Sequence, residues 1–408
     1  CSSCPGCRYS TATRIGYSVF MAVVAFCSYI CTTEFLAKLL IKVQPLCNYY
    51  NTSTCEAIVG YEAVYRIHLS TAIFFLFLCL VMVNVRTSRD IRAFFHNGFW
   101  IFKICAIIAI LVGISYIPKN DDFSKAVMVI GIIASFLFIL IQLVLIIDFA
   151  HSWNESWLEH AEDDRSWLGA LLTAVLLMSI LSVSGIVCMY VYLARSSEDN
   201  CSTQKFVISF HLILSCILYI VSVLSKVREA RPTSGLLQSS CIFLYTTFIV
   251  FSALALEEGT CNRILSSNTS NNAFKQFAGI FSLAFTVLML LYSSFRNSEN
   301  SHLLGLNGND NYNAVEVGEG NIGEYGQHVE DDEEDGVAYN YSLFHFFMLL
   351  ATLYLMMIIT NWYNPAYPET RSSSKAAVWV KITSAWMCQA IYLWTLLAPI
   401  IIENRDFI

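Results

Sequence analysis

Asp148, His151 and Glu155 stand at i, i+3 and i+7 within one short stretch, DFAHSWNESW at 148–157. On a helix those offsets put three ionisable groups within about 60° of arc. Two carboxylates and an imidazole so placed allow three readings: a metal site, a charge cluster paired with basic residues such as Arg86 or Arg228, or a solvated helix end that Trp153 and Trp157 anchor in an interface. A second set of polar groups runs His211, Ser215, Tyr219, Ser222 and Lys226. Parallel stripes are Lys381, Ser384, Cys388, Tyr392 and Thr395, and Gly279, Ser282, Thr286 and Ser293. Steps of three, four or seven hold each stripe on one helix face. Such faces either let apolar helices approach and hydrogen-bond, or form a track along which a lipid headgroup crosses without losing its partners. An unsatisfied polar group in hydrocarbon costs several kcal/mol, so even a partial track would speed crossing greatly.

Enzymatic motifs are missing. G-x-x-x-x-G-K-[ST], H-E-x-x-H and G-x-S-x-G do not occur, so neither nucleotide-driven nor hydrolytic machinery is expected, and no catalytic residue, metal or cofactor is assigned. Cys1, Cys4 and Cys7 in CSSCPGC have zinc-like spacing, but a fourth ligand is not evident nearby and no βαβ context supports redox chemistry. Palmitoylation or no role remains for them.

The elements that must position these groups are apolar. The chain of 408 residues is 56% hydrophobic and 13% charged, against about 25% charged in soluble domains. About 20 apolar residues cross a hydrocarbon core of about 30 Å, and ten such runs lie near 15–33, 64–83, 99–117, 126–150, 168–193, 206–224, 236–256, 274–295, 341–361 and 376–402. The pattern predicts an all-α polytopic membrane protein with ten transmembrane helices. Helices one to eight would fill 15–295 after a cytoplasmic Cys-rich segment 1–14, and helices nine and ten would fill 341–402 before a tail at 403–408. Between them, 296–340 carries EDDEED at 330–335 and reads as an acidic disordered loop. A net charge of −7 argues against nucleic acid as a partner. Apart from Pro399, the prolines fall outside the spans, against a broken-helix transporter of a small solute such as serine.

Lys and Arg counts on the two sides nearly tie, so cysteines and sequons orient the chain. Cys47, Cys55, Cys201 and Cys261 occupy loops of one parity, and Asn51, Asn200 and Asn268 head sequons in the same loops. Oxidisable thiols and glycan acceptors belong on the lumenal or extracellular side. Both termini are therefore expected in the cytoplasm, with Cys47–Cys55 and Cys201–Cys261 as candidate disulfides.

Five patches resemble signatures of the serine incorporator family: CPGCRYSTATRIGY (4–17), FFHNGFWIFK (94–103), DFAHSWNESW (148–157), NWYNP (361–365) and AVWVKITSAWMCQAIYLWTLLAPIIIENRDF (377–407). The resemblance implies ten helices in two helical subdomains, with the fourth as a long oblique strut whose cytoplasmic foot is DFAHSWNESW. It implies ATP-independent scrambling of phosphatidylserine and other phospholipids, or a scaffold that helps serine enter phosphatidylserine and sphingolipids. Some family members restrict retroviral infectivity. Phospholipids, with sterol or sphingolipid, are the expected partners, in plasma membrane and endomembranes, and a homo-oligomer is left open. The acidic loop resembles one used in trafficking, and ENSHLL (299–304) resembles a dileucine signal in which Glu299, Leu303 and Leu304 would meet a clathrin adaptor. His211, Ser215, Tyr219, Ser222, Lys226, Ser282, Thr286, Lys381, Ser384 and Tyr392 are the lipid-groove candidates.

Overall fold

The computed structural model describes residues 9–32, 60–87, 89–117, 121–195, 200–230, 235–255, 257, 261–262, 284–285, 287–288, 292, 337, 339–360, 362 and 375–401. Their long elements are helices: α1 Tyr9–Cys31, α2 Tyr61–Val81, α3 Ile91–Asn97, α4 Trp100–Ser115, α5 Asp121–Asp163, α6 Ser166–Tyr192, α7 Ser202–Val223, α8 Ser225–Ala230, α9 Leu236–Ala255, α10 Tyr341–Ile359 and α11 Lys375–Ile401. Hydrocarbon offers a backbone amide no partner, and a helix satisfies its amides internally. Among the described residues eight helices are long and apolar enough to cross a membrane, or nine if α3 and α4, bent by 82°, make one span. The predicted span 274–295 lies almost wholly outside the described residues, so the count of ten is not reached there. A sharp turn makes the α3–α4 bend. Phe99 adopts a left-handed conformation with φ 55°, and its ring is held by Phe94 and Phe95 at centroid distances of 5.0 and 5.3 Å.

The main departure from expectation is α5. The predicted span 126–150 continues as one helix of 43 residues to Asp163, about 65 Å at 1.5 Å per residue. DFAHSWNESW therefore does not terminate the helix, because it holds neither proline nor glycine. The break comes at Asp164, whose carboxylate accepts from Ser166 N at 3.0 Å and Ser166 Oγ at 2.6 Å and so opens α6. Those bonds hold the Asp164 carboxyl below the usual carboxylate range.

The chain divides into two compact units, Cys1–Ser135 with Phe281–Thr360, and Phe136–Ile280 with Asn361–Ile408. In the first unit α10 lies along α2 as the most extensive helix pair, and α1 and α4 also pack on α2. Polar ties add to this packing. Ser342 Oγ donates to Cys79 O at 2.8 Å, and Arg66 Nη1 donates to Ser115 O, a terminal carbonyl of α4, at 2.8 Å. Asp90 caps α3 through Arg92 N, while the Arg92 guanidinium reaches Val81 O at the end of α2 and Val83 O just beyond it. Gly16 allows α1 to meet α4, since a Cβ there would sit 2.7 and 2.9 Å from the Trp100 indole. Gly16→Ala is expected to destabilise by about 1–3 kcal/mol through overpacking, read as a lower unfolding temperature in detergent. Gly113→Ala, with nothing within 4 Å, should leave that temperature unchanged.

In the second unit α9 is the central helix and contacts α6, α7 and α11. It has 67% of its apolar window buried, against 22% for α6, whose Leu172, Leu176, Ile180 and Val187 face outward. Gly185 lets α6 approach Thr247 of α9. A disulfide joins Cys201, just before α7, to Cys261, beyond α9.

Candidate functional site

The second unit holds a ladder of polar side chains built on α9. At one end Lys381 Nζ donates to Ser252 Oγ at 3.4 Å. Next His211 Nε2 lies 3.0 Å from Thr247 Oγ1. Gln389 Nε2 then donates to Ser215 Oγ at 2.7 Å and Thr246 Oγ1 at 3.3 Å. Further along, the Tyr219 and Ser179 hydroxyls meet at 2.6 Å, and Ser239 and Tyr392 at 3.4 Å. Gln238 closes the series, its Nε2 lying 3.3 Å from His151 Nδ1. Gln238 and Ser252 are fourteen residues apart on α9, about 21 Å along its axis, most of a hydrocarbon core.

Several of the serines and threonines here donate within their own helix. Ser215 donates to His211 O, Thr246 to Ile242 O, Ser240 to Leu237 O, Ser252 to Ile249 O and Ser384 to Val380 O, all at 2.7–2.9 Å. Such back-bonding is normal for Ser and Thr in helices. It leaves oxygen lone pairs, rather than stranded donors, facing the neighbouring helix. Two buried atoms in the ladder, His211 Nδ1 and Gln389 Oε1, make no hydrogen bond of good geometry among the described residues, although the two side chains lie within reach of each other.

The predicted stripes therefore come together, with exceptions. His211, Ser215, Ser222, Ser384 and Tyr392 are buried and Tyr219 is half-buried. Lys226 does not continue the face: Leu224, with ψ 132°, ends α7, and Lys226 is an exposed residue of α8. Ser282 and Thr286 lie outside the described residues. So do Cys47, Cys55, Asn51, Asn268, Glu299, Leu303, Leu304 and the N-terminal cysteines, whereas Asn200 is exposed.

Asp148, His151 and Glu155 of α5 differ in exposure. Glu155 is exposed, and Asp148 and His151 are half-buried. Among the described residues no three His, Cys, Asp or Glu side chains converge as a metal site. His151 instead meets Gln238, whose Oε1 accepts from Gly235 N at 2.8 Å just before α9. Gln238 is the third residue of α9 and reaches back to the residue before it, half of a capping box. Trp153 packs against Val175, Met178 and Leu237, and Trp157 meets Trp153 and Trp167 at 5.2 and 5.7 Å. The polar foot thus fastens α5 to the starts of α6 and α9.

The first unit contains a second cluster, also buried. His96 Nδ1 lies 2.9 Å from His345 Nε2, and His96 Nε2 lies 2.7 Å from the Tyr339 hydroxyl. The carbonyl of His96, at the end of α3, accepts from Tyr17 OH at 3.0 Å and Lys103 Nζ at 2.8 Å. Aromatic faces hold the cations: Lys103 sits 4.6 and 4.3 Å from the Tyr17 and Trp100 rings, and Arg14 sits 4.8 Å from Tyr339.

Residues 1–405 match the family model described as Serine incorporator (Serinc). The chain is 42% identical to a probable serine incorporator of Nematostella vectensis, over all of this chain and 93% of that protein. It is 39% identical to serine incorporator 3 of Bos taurus and 37% identical to serine incorporator 2 of Homo sapiens, each over all of this chain and 94% of the relative. The chain belongs to the serine incorporator family.

In this serine incorporator two groups of residues escape a stripe-by-stripe reading. Gln238, Ser239, Thr246 and Thr247 belong to α9, and Gln389 to α11. The sequence signal was present, since glutamine inside an apolar span is expensive unless it has a partner. Arg14, His96, Lys103 and His345 carry the same signal. His96 and Lys103 are seven residues apart, but Arg14 and His345 lie far from them in the chain, so only the fold shows the four as one cluster.

Proposed function

We propose that this serine incorporator moves phospholipids, phosphatidylserine among them, between membrane leaflets without an energy source. The supporting observation is the α9 ladder, in which Ser215, Thr246 and Ser252 donate within their own helices and turn their acceptors to whatever lies between the helices. In the closed arrangement the Gln389 amide and neighbouring hydroxyls take those acceptors. When α7 or α11 moves away from α9, water or the N–H groups of a headgroup replace them. Interhelical hydrogen bonds in membranes average about 0.6 kcal/mol. Parting the few that bind this seam therefore costs about 3 kcal/mol in polar terms, a population ratio of roughly 10². A headgroup then meets a polar partner at each level instead of bare hydrocarbon.

Changing Ser215, Tyr219 and Ser222 together to leucine is expected to lower the rate of fluorescent-lipid crossing in liposomes by about tenfold or more, with the fold retained. An unchanged rate in folded triple variant would contradict the path. The name of the relatives favours a second reading, a non-catalytic scaffold that gathers enzymes incorporating serine into lipids. That reading expects serine-dependent lipid synthesis to follow the protein's abundance in cells, and no lipid movement by the purified chain.

A further inference from the structure

Lys381 is the seventh residue of α11, about 9 Å along its axis, and it is half-buried. An ammonium at that depth is costly unless it is paired. Among the described residues its partners are the Ser252 hydroxyl at 3.4 Å and the Trp362 ring at 5.4 Å, and neither is an acid. Ser252 already donates to Ile249 O at 2.8 Å, so its lone pairs receive the lysine. An ammonium carries three donors, and one long bond leaves two of them for something else. The aromatic partner is rigidly set. Trp362 is 1% exposed and holds a left-handed backbone with φ 58°, a conformation that costs a bulky residue about 1–3 kcal/mol.

Lys103 supplies the contrast. It is 5% exposed, bonded to a carbonyl at 2.8 Å and covered by two aromatic rings at 4.3 and 4.6 Å. Its charge is closed inside the protein. Lys381 has one aromatic ring and one weak hydroxyl bond, and as a residue it is half-buried, at the end of the polar ladder nearest the Cys201–Cys261 disulfide.

We propose that Lys381 is an anion-binding residue that takes the phosphate of a phospholipid headgroup, with Trp362 holding its side chain in place. The inference deepens the lipid-moving reading above and rests on it for the source of the anion. A phosphate diester presents two charged oxygens, and charge-assisted hydrogen bonds to both fit the two spare donors. The headgroup would dock there before entering the ladder, at the leaflet that faces the disulfide-bearing loops.

The test is native mass spectrometry of the full chain in mild detergent with added phosphatidylcholine or, as a phosphate-free control, glucosylceramide. The protein, Lys381→Met and Lys381→Arg are compared. Methionine keeps the length of the stem and removes the charge, and circular dichroism checks the helix content. Retained phosphatidylcholine is expected to fall about tenfold or more in Lys381→Met, to persist in Lys381→Arg, and glucosylceramide should not change. Equal phosphatidylcholine retention in the protein and Lys381→Met overturns the proposal. So does an equal loss of both lipids. Competition by inorganic phosphate at millimolar concentration identifies a site that also accepts the free anion, whereas indifference to it assigns the site to the lipid-borne group. Phospholipid retention that depends on Lys381, in a protein that does not scramble, would refute the lipid-moving reading and leave the anion site standing.

Discussion

His96→Ala is expected to destabilise the first unit by about 3–5 kcal/mol, the range for truncating a large buried ring and stranding its partners. His96 joins α3 to α10 through His345 Nε2 at 2.9 Å and to the segment before α10 through Tyr339 OH at 2.7 Å. Its ring also stacks on Tyr341 at 4.1 Å and on Tyr17 at 5.4 Å. Alanine would remove both ring bonds and leave a cavity among aromatic side chains that cannot collapse easily. Thermal unfolding in detergent, followed by tryptophan fluorescence, should fall by several degrees. His96→Gln, which can keep one of the two bonds, should lose less. An alanine variant as stable as the parent would show that the cluster is incidental.

The disulfide gives the second large effect. Cys201 and Cys261 are 60 residues apart, and in the chain-entropy model closing a loop of that length is worth about 4 kcal/mol, within a usual range of about 2–4. Its place in the fold adds to this. Cys201 precedes α7 with a left-handed backbone, φ 46°. Asn262, next to Cys261, donates its side-chain amide to Leu254 O, Ala255 O and Glu257 O at 3.3, 3.0 and 2.9 Å, capping α9. The bond thus ties the beginning of one ladder helix to the end of another. Reductant should lower the unfolding temperature of the parent protein and leave the Cys201→Ser, Cys261→Ser double variant unaffected at its already lower value. A parent indifferent to a reductant that demonstrably opens the bond would contradict the estimate.

Much of the fold was legible in the sequence because hydrocarbon imposes one rule. Apolar runs of about 20 residues must be helices, and the runs near 64–83, 168–193, 206–224, 236–256 and 341–361 agree closely with α2, α6, α7, α9 and α10. The Cys201–Cys261 pair followed from loop parity. Less legible was whatever depends on side-chain bonding across the chain. The polar letters of DFAHSWNESW suggested a helix end, yet the helix continues to Asp163, because His151 finds Gln238 and Trp153 finds Val175 and Leu237. Nothing local in the sequence distinguishes a polar stretch facing water from one facing a capped helix start. Lys226 failed for the opposite reason: its spacing suited α7, but the extended backbone at Leu224 broke the register. The stripes of α7 and α11 were visible as spacing, but their common partner α9 was not singled out, although Ser239 and Thr246, and Ser240 and Thr247, stand seven apart and share a face. Arg14, His96, Lys103 and His345 were individually conspicuous in apolar surroundings, and pairing them needed the packing of α1, α3, α4 and α10.

The most direct measurement is lipid crossing by the purified protein alone. It is reconstituted into sealed liposomes that carry a fluorescent phosphatidylserine in both leaflets, without nucleotide or partner protein, and a membrane-impermeant quencher is added. Quenching well beyond the outer leaflet's half, in vesicles shown not to leak, is the expected result. A plateau at half, from protein shown to be folded and inserted, would contradict passive lipid movement and favour the scaffold reading.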